Sequence, residues 1–278
     1  MLVGVAQAGP IMYIEAAPGG GGSGFDYTGH ADCEGAWLLY SSGDETGAVT
    51  DRCGSLDMAW SGASWVEGSS VPAGTPSGQD SASFDGTVDN WMDIADNAAF
   101  ESSALTFMCW LYPEAASTDV AFSKSSSDWE LRVSSSSYYR GTVSSTAEDG
   151  TTVPPTNTWQ HIAVRYDQSG TQADSVATEV ETFYNGVSDC GGGACSTDTG
   201  GLPGTTSVIR LGAQSDGGRA WVGDLMECEF FSSALSDDEI AEIVLCGMDG
   251  LADPNNSTGR GSYGGVDCTS NPEAGCCS

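Results

Sequence analysis

The chain has 278 residues, of which 39 are Asp or Glu and 8 are Lys or Arg, and its formal net charge is −31. This acidic excess argues against nucleic-acid or anionic-membrane binding, because both depend on Lys and Arg that face phosphate. No run of 18 apolar residues is present, so we expect no transmembrane helix. Ten cysteines indicate disulfides and an oxidising compartment.

Residues 1–24 read as an N-terminal arm that ends in a Gly-rich linker at 19–24. The arm has two mildly apolar runs, at 1–6 and 11–14, and no charge before Glu15. An uncharged apolar segment left in water favours aggregation, so we expect the arm to add a strand to its own sheet or to a neighbour's.

Residues 25–247 read as one β domain. Short runs rich in β-branched and aromatic residues, bounded by Gly, Pro, Asn and Ser, predict strands. The main ones are expected at 35–41, 54–61, 64–67, 81–85, 91–93, 105–112, 120–123, 129–133, 138–143, 158–167, 180–186, 208–211 and 220–231. An Asn-Gly pair at 185–186 suits a tight hairpin, which predicts that the strands near 159–167 and 182–186 are antiparallel neighbours.

A single helix is predicted at 236–245. Ser236 and Glu239 form a capping box, and Ile240, Ile243 and Val244 form an apolar stripe. Residues 248–278 have no periodicity and contain three cysteines, so we expect a Cys-rich irregular tail.

Four stretches, in order along the chain, resemble the laminin-G-like, concanavalin A-like lectin/glucanase jelly-roll family. They are SFDGT with WMDI at 83–94, LTFMCWLYP at 105–113, WQHIAVRYD with FYNG at 159–186, and AWVGDLMECEFF with ALSDDEI at 220–240. The resemblance spans roughly residues 33–246. It implies an all-β fold, a two-sheet antiparallel jelly-roll sandwich with one short C-terminal helix. This fold carries lectins, adhesion modules, hydrolases and structural domains, so it does not fix function.

One Ser-rich region combines aromatic rings with hydrogen-bonding groups, which suits glycan binding. The candidate ligand residues there are Trp129, Arg132, Tyr138, Tyr139 and Arg140, for which a place in the core or on a plain surface is the open alternative.

Two carboxylates that could support catalysis, Glu227 and Glu229, stand two residues apart on one predicted strand, a step that points both the same way. The resemblance places this pair on a closing strand that non-catalytic family members share. No Gly-x-Ser-x-Gly motif is present. We therefore expect that the protein is not an enzyme.

Calcium is the one cofactor that the sequence favours, because this ion takes six to eight oxygen ligands. Acids and an amide cluster at Asp85, Asp89, Asn90, Asp93 and Asp96, and the alternative is that they are solvated loop residues. Many relatives of the resembled fold bind calcium beside their ligand site. Met226 stands where that family usually has an Asp, which weakens a metal site on the closing strand.

Three cysteine pairs are candidate disulfides. Cys190 and Cys195 are expected to close a small hairpin loop, and Cys246 is expected to hold the tail through Cys268. The resemblance implies a bridge between Cys109 and Cys228, because the strands that carry them are neighbours in that fold.

The sequence thus predicts a non-catalytic β-sandwich module that binds glycans or mediates adhesion, located extracellularly, on a cell surface or on a virion surface. The alternative is a structural subunit of a filament or virion that assembles through its N-terminal arm, and the third reading is a glycoside hydrolase. The expected partners are glycans or other copies of the chain, with no nucleic acid and no membrane insertion.

Overall fold

A computed structural model describes residues 30–39, 48–62, 81–87, 89–115, 117–134, 138–172, 175–190 and 194–246. The arm at 1–24, the tail at 248–278, the strand expected at 64–67 and the partner Cys268 lie outside these residues. Within the described ranges, sixteen strands form two sheets, accompanied by one α-helix and a 3-10 helix at Ala98–Phe100. The predicted all-β sandwich is confirmed.

The first sheet, sheet A, is antiparallel throughout. Its strands are β1 (Cys33–Trp37), β4 (Ala82–Asp85), β6 (Ala104–Pro113), β11 (Gln160–Asp167), β12 (Glu179–Tyr184), β13 (Val187–Ser188), β14 (Ser196–Thr197) and β16 (Val222–Phe231). The order is β1-β16-β6-β11-β12-β13, with β4 beside β16 and β14 beside β12. Consecutive strands β11 and β12 pair from Ile162↔Tyr184 to Tyr166↔Val180, as predicted.

The second sheet, sheet B, is also antiparallel. Its strands are β2 (Ala48–Val49), β3 (Met58–Gly62), β5 (Asn90–Ile94), β7 (Val120–Ser125), β8 (Trp129–Val133), β9 (Tyr139–Val143), β10 (Thr146–Asp149) and β15 (Ile209–Leu211). The order is β10-β9-β8-β7-β15-β5-β3-β2. Non-consecutive neighbours in both sheets are typical of jelly rolls.

The core lies between the sheets and is built by the alternation of side chains along each strand. Inward residues include an aromatic cluster in which Trp129 lies 4.9 Å from Phe107 and 5.0 Å from Phe230, measured between ring centroids. The indole of Trp129 donates to the carbonyl of Phe100 at 3.1 Å, which satisfies its one polar atom. Outward residues of the same strands are therefore the ones that can meet a ligand.

The Asn-Gly pair forms the predicted tight turn, with φ of 50° at Asn185 and 79° at Gly186. It joins β12 to the two-residue strand β13, a partner that the sequence pattern did not predict. The Asn185 side chain accepts a hydrogen bond from the His161 backbone at 2.8 Å, so the turn is also tied to β11.

The helix α1 (Asp237–Cys246) is confirmed within a residue of its predicted bounds. Ser236 Oγ accepts from the Glu239 N–H at 3.2 Å, and Glu239 Oε2 accepts from the Ser236 N–H at 2.7 Å, which is the predicted capping box. Buried Ile240 and Ile243 pack with Phe183 against the outer face of sheet A. Neither this helix nor any other described one is long and apolar enough to cross a membrane.

Three disulfides link the described residues. Cys190–Cys195 and Cys109–Cys228 match the expectations, and in the second pair the two residues face each other on β6 and β16 with Cα atoms 4.1 Å apart. A third bridge, Cys33–Cys53, was not predicted. Disulfides are typical of secreted and surface proteins.

Candidate functional site

The predicted glycan-binding residues divide between the two faces of sheet B. Trp129 is fully buried and Tyr139 is 2% exposed, so both rings belong to the core and their predicted place at a ligand is wrong. Arg132 and Arg140 are paired residues of β8 and β9 on the outer face. Tyr138 is half-buried just before β9. Side chains alternate between the two faces of a sheet along each strand, and at Trp129 and Tyr139 they point into the core.

A continuous row of polar side chains crosses the outer face of sheet B, which we call the polar row. Its members are register partners on five adjacent strands: Asp93, Arg210, Ser123, Glu130 and Thr142. Side chains directly opposite on neighbouring strands have Cβ atoms about 4.5–5.5 Å apart, so adjacent members can act on the same ligand.

Glu130 is the most buried acid of the polar row, at 1% exposure. Its Oε1 lies 2.8 Å from Arg132 Nε and 3.8 Å from Arg219 Nη1, although the Arg132 N–H is not aligned for a hydrogen bond. Burial raises the pKa of Glu130 above its usual value, and the charges of Arg132, Arg219 and Arg140 only partly offset that rise. Its Oε2 accepts no hydrogen bond from the described part of the protein.

Other buried polar atoms on this face also have no hydrogen-bond partner among the described residues. They are Thr142 Oγ1 on the strand beside Glu130, Arg210 Nε, and the indole nitrogen of half-buried Trp91. Buried polar groups in folded proteins are nearly always hydrogen-bonded, so several unpaired ones on a single face make that face a candidate for a polar ligand.

The remaining arginines of this face differ in how fully they are paired. Arg140 forms a bidentate pair with Asp149 at 2.7 and 2.6 Å, which raises the pKa of Arg140 and lowers that of Asp149. Arg210 lies 3.1 Å from Asp93 and 4.2 Å above the Trp91 ring. These contacts orient the two guanidinium groups on the sheet surface.

The predicted calcium ligands do not converge. Asp93 pairs with Arg210, and Asp96 pairs with Lys124 at 2.9 Å. Asp85 Oδ1 accepts hydrogen bonds from the backbone and hydroxyl of Thr87 and from the side chain of Asn90, which closes a turn. The fifth residue of the set, Asp89, is exposed. The stretch therefore does not fit a single calcium shell, and calcium binding stays a prediction.

Among the described residues, one group brings three ligand-type atoms within 4.8 Å of one another: Glu179, Glu181 and Cys195. Cys195 is bonded to Cys190, and Glu181 is paired with Arg165. A disulfide sulfur is not a thiolate ligand, so this group does not suit a metal ion.

The carboxylate pair on β16 lies on sheet A, away from the polar row. Glu227 and Glu229 are both fully buried. A bulge after Met226 places Glu227 at a φ of 45°, so the regular two-residue step assumed from the sequence is wrong here. Burial, and secondarily the charge of Glu227, raises the pKa of Glu229 well above its usual value.

Comparison with known proteins fits this architecture. The family model described as the concanavalin A-like lectin/glucanases superfamily matches residues 85–241, more than half of the chain. The chain belongs to this superfamily. No protein of curated function matches the chain in sequence.

Two solved structures are similar in fold to this chain. Domain 4 of AbnA, a GH43 extracellular arabinanase from Geobacillus stearothermophilus in complex with arabinotriose, is 16% identical at a TM-score of 0.52, over 76% of this chain and 98% of that one. Trypanosoma rangeli sialidase in complex with the inhibitor DANA is 12% identical at a TM-score of 0.52, over 75% of this chain. The match spans 32% of the sialidase chain, and identities this low establish the shared fold alone.

The expectation that the protein is not an enzyme is contradicted. Solved structures with its fold include parts of an arabinanase and of a sialidase. The absence of a familiar catalytic motif from the sequence was therefore too weak a reason to exclude catalysis.

Several residues of the candidate site were not predicted from the sequence. Glu130 and Thr142 share strands with residues that were singled out, and strict alternation in WELRV and YRGTV places both on the outer face with Arg132 and Arg140. Arg219 had no such signal, because it lies outside the strands and reaches the polar row only through tertiary packing.

Proposed function

We propose that the protein binds glycans across the outer face of sheet B, with the polar row at the centre of the site. The observation that carries this proposal is the adjacent pair of Glu130 Oε2 and Thr142 Oγ1, which are buried and take no hydrogen bond from the described residues. A sugar hydroxyl both donates and accepts, so it can satisfy the carboxylate and the threonine hydroxyl together.

The flanks of the polar row suit a saccharide as well. Trp91 precedes Asp93 by two residues on β5, and Tyr138 directly precedes β9, the strand of Thr142. Both are half-buried, with aromatic faces that can contact the apolar side of a sugar ring. A superfamily named for lectins and glucanases, and an arabinanase domain of similar fold in complex with arabinotriose, add support. The three disulfides fit a protein that meets such glycans outside the cell or at its surface.

Binding is tested by Thr142→Val, which keeps the side-chain shape and removes only the hydroxyl. The matched control is Thr182→Val, because Thr182 is equally buried and unpaired but faces Gly141 inside the sandwich. Glycan-array screening followed by calorimetry should show weaker binding for Thr142→Val and unchanged binding for the control. Equal affinities for the two variants, or no glycan bound by the parent protein, would overturn the proposal.

A second candidate function, glycoside hydrolysis, is favoured by one observation. Burial, and to a smaller extent the like charge of Asp216, raises the pKa of Glu130, and a raised pKa is the direction of shift that a general acid needs. Product release from bound oligosaccharides, followed by chromatography, should fall by at least about a hundredfold in Glu130→Gln if Glu130 protonates the leaving group. Bound glycans that stay intact over days would reject hydrolysis and leave glycan binding in place.

A further inference from the structure

We infer that the glycan carries an anionic group, a carboxylate or a sulfate, which is held by Arg219 and Arg132 beside Glu130. This inference rests on the proposed function, since it names the class of saccharide that the polar row would select.

Basic residues are scarce in this chain and concentrated on this face. Of 8 Lys and Arg in the whole sequence, four lie at the outer face of sheet B: Arg132, Arg140, Arg210 and Arg219. A protein with a net charge of −31 repels anions at long range, so a local group of guanidiniums provides a place where an anionic ligand can be held.

Two of the four arginines already use several of their N–H donors within the protein. Arg140 uses Nε and Nη2 in the bidentate contact with Asp149. Arg210 donates to the carbonyls of Gln214 and Ser215 at 3.0 Å in addition to its pair with Asp93. Both therefore have fewer N–H donors left for an incoming anion than a guanidinium without such contacts.

Arg132 and Arg219 share a single carboxylate oxygen. The Arg219 guanidinium reaches Glu130 Oε1 only at 3.8 Å, beyond hydrogen-bond distance, and its side chain is 42% exposed. The nearby Asp216 accepts from the backbone N–H of Gly218 at 2.8 Å, in its own turn. Two guanidinium groups facing one buried carboxylate therefore leave donors for a second acidic group, and planar guanidiniums match carboxylate and sulfate oxygens well.

The backbone at Arg219 is held in place by a hydrogen bond to β7. Its φ is 50°, in the left-handed region that non-glycine residues seldom occupy. Its carbonyl accepts the Val120 N–H at 2.9 Å, so the strained conformation is fixed at the end of β7. This hydrogen bond holds Arg219 beside the polar row, where its guanidinium lies 3.8 Å from Glu130 Oε1.

The geometry assigns complementary roles within the site. The anionic group of the sugar would lie against Arg132 and Arg219, while hydroxyls on neighbouring carbons would donate to Glu130 Oε2 and accept from Thr142 Oγ1. A neutral sugar would make only the second set of contacts. Selectivity for an acidic saccharide therefore depends on the arginines, whereas binding of any saccharide depends on Glu130 and Thr142.

The test is calorimetry on the full chain with three ligands: an oligogalacturonide, the methyl ester of the same oligosaccharide, and a sulfated oligosaccharide. The free acid should bind at least about tenfold more tightly than its ester, the difference expected for a charge-assisted hydrogen bond. Binding of the sulfated oligosaccharide distinguishes a site that accepts either anion from a site that requires a carboxylate. Equal binding of the acid, the ester and the sulfated oligosaccharide would overturn this inference and leave the proposed function standing, whereas the failure of every saccharide would overturn both.

The variant Arg219→Gln localises the effect, since a half-exposed side chain can be changed without unfolding the sheet. It should lose about tenfold in affinity for the acidic ligand and nothing for the ester. The matched control is Arg52→Gln, which removes the same charge from an exposed position beside β1 of sheet A. An equal loss in both variants would mean that only net charge matters, and the inference would fail.

Discussion

At the scale of single residues, two buried ionisable side chains make the stability of this protein depend on pH. His161 and Glu229 are fully buried on sheet A, and neither accepts or donates a side-chain hydrogen bond among the described residues. Burial favours the neutral form of both, because a charge without a partner is costly to remove from water. Each group therefore makes stability depend on pH, and the two dependences have opposite sign.

His161 should make the protein less stable in acid. Burial lowers its pKa to about 3, so between about pH 6.5 and 3 the unfolded chain takes up a proton that the folded protein does not. The free energy of unfolding therefore keeps the full contribution of neutral His161 above pH 6.5. It decreases by up to about 5 kcal/mol as the pH falls from 6.5 to 3. The variant His161→Phe should flatten this slope in urea denaturation at pH 7 and pH 4. A His30→Gln variant should keep it, and an unchanged slope in His161→Phe would contradict the prediction.

Glu229 should make the protein less stable in alkali. Its pKa in the folded protein is raised, so the unfolded chain ionises first as the pH increases above about 4.5, and stability is lost with rising pH. Glu229→Gln removes this dependence without changing the size of the side chain. The variant should melt at a higher temperature than the parent at pH 8 and at a similar temperature at pH 4. A lower melting temperature at pH 8 would show that the carboxylate has a stabilising role.

At the scale of elements, the turn after β11 is organised by the carboxylate of Asp167. The carboxylate accepts hydrogen bonds from the backbone of Ser169, Thr171 and Gln172, at 2.8, 2.8 and 2.9 Å, and from the hydroxyl of Ser175 at 3.0 Å. Burial alone would raise the pKa of Asp167, but these hydrogen bonds outweigh it and lower the pKa to about 2. The loop conformation thus depends on an ionised side chain.

Asp167→Asn should weaken the fold at neutral pH. A carboxyl whose pKa decreases on folding adds stability above its unfolded pKa, and that stability is lost as the pH falls through about 2. We expect a loss of about 2 kcal/mol at pH 7 in urea denaturation. The difference between variant and parent should shrink between pH 4 and pH 2. A difference that stays constant over this range would mean that the loop does not depend on the charge.

The strands show what a sequence can and cannot predict. The bounds of β8 were predicted to the residue, because Trp129, Leu131 and Val133 alternate with polar residues. The ligand residues were chosen instead by closeness along the chain, which mixed the inner and outer faces of sheet B. The bulge at Glu227 and the two-residue strands β2, β13 and β14 had no periodic signal, since they depend on pairing with distant strands.

At the scale of the whole molecule, the disulfides differ in the length of chain that they constrain. Cys33 and Cys53 are 20 residues apart in sequence, and Cys190 and Cys195 are 5 apart. Restricting the unfolded chain stabilises the fold more when the closed loop is longer. The resemblance to a family could suggest the Cys109–Cys228 pair, but Cys33–Cys53 requires that β1 and the loop before β3 meet, which no local pattern predicts.

Replacing both Cys33 and Cys53 by Ser should therefore cost more stability than replacing both Cys190 and Cys195. The expected losses are about 3 and about 2 kcal/mol on loop-closure entropy. Guanidinium denaturation of the two double variants, under identical non-reducing conditions, measures the difference directly. The reverse order would show that contacts in the folded state, rather than the freedom of the unfolded chain, decide how much each bridge contributes.

The bridges also determine how the sandwich would respond to mechanical load. Cys33 and Phe231 are paired at one end of β1 and β16, so a pull on these two residues peels the strands apart rather than shearing them. The load then passes from Cys33 to Cys53 and from Cys228 to Cys109 through covalent bonds. Only the chain from Cys53 to Cys109 can lengthen appreciably, while sheet B strands β7 to β10 and β15 lie within the closed loop and bear no tension. Under force, the candidate glycan-binding arginines would lie in a segment that bears no load until the disulfides are reduced.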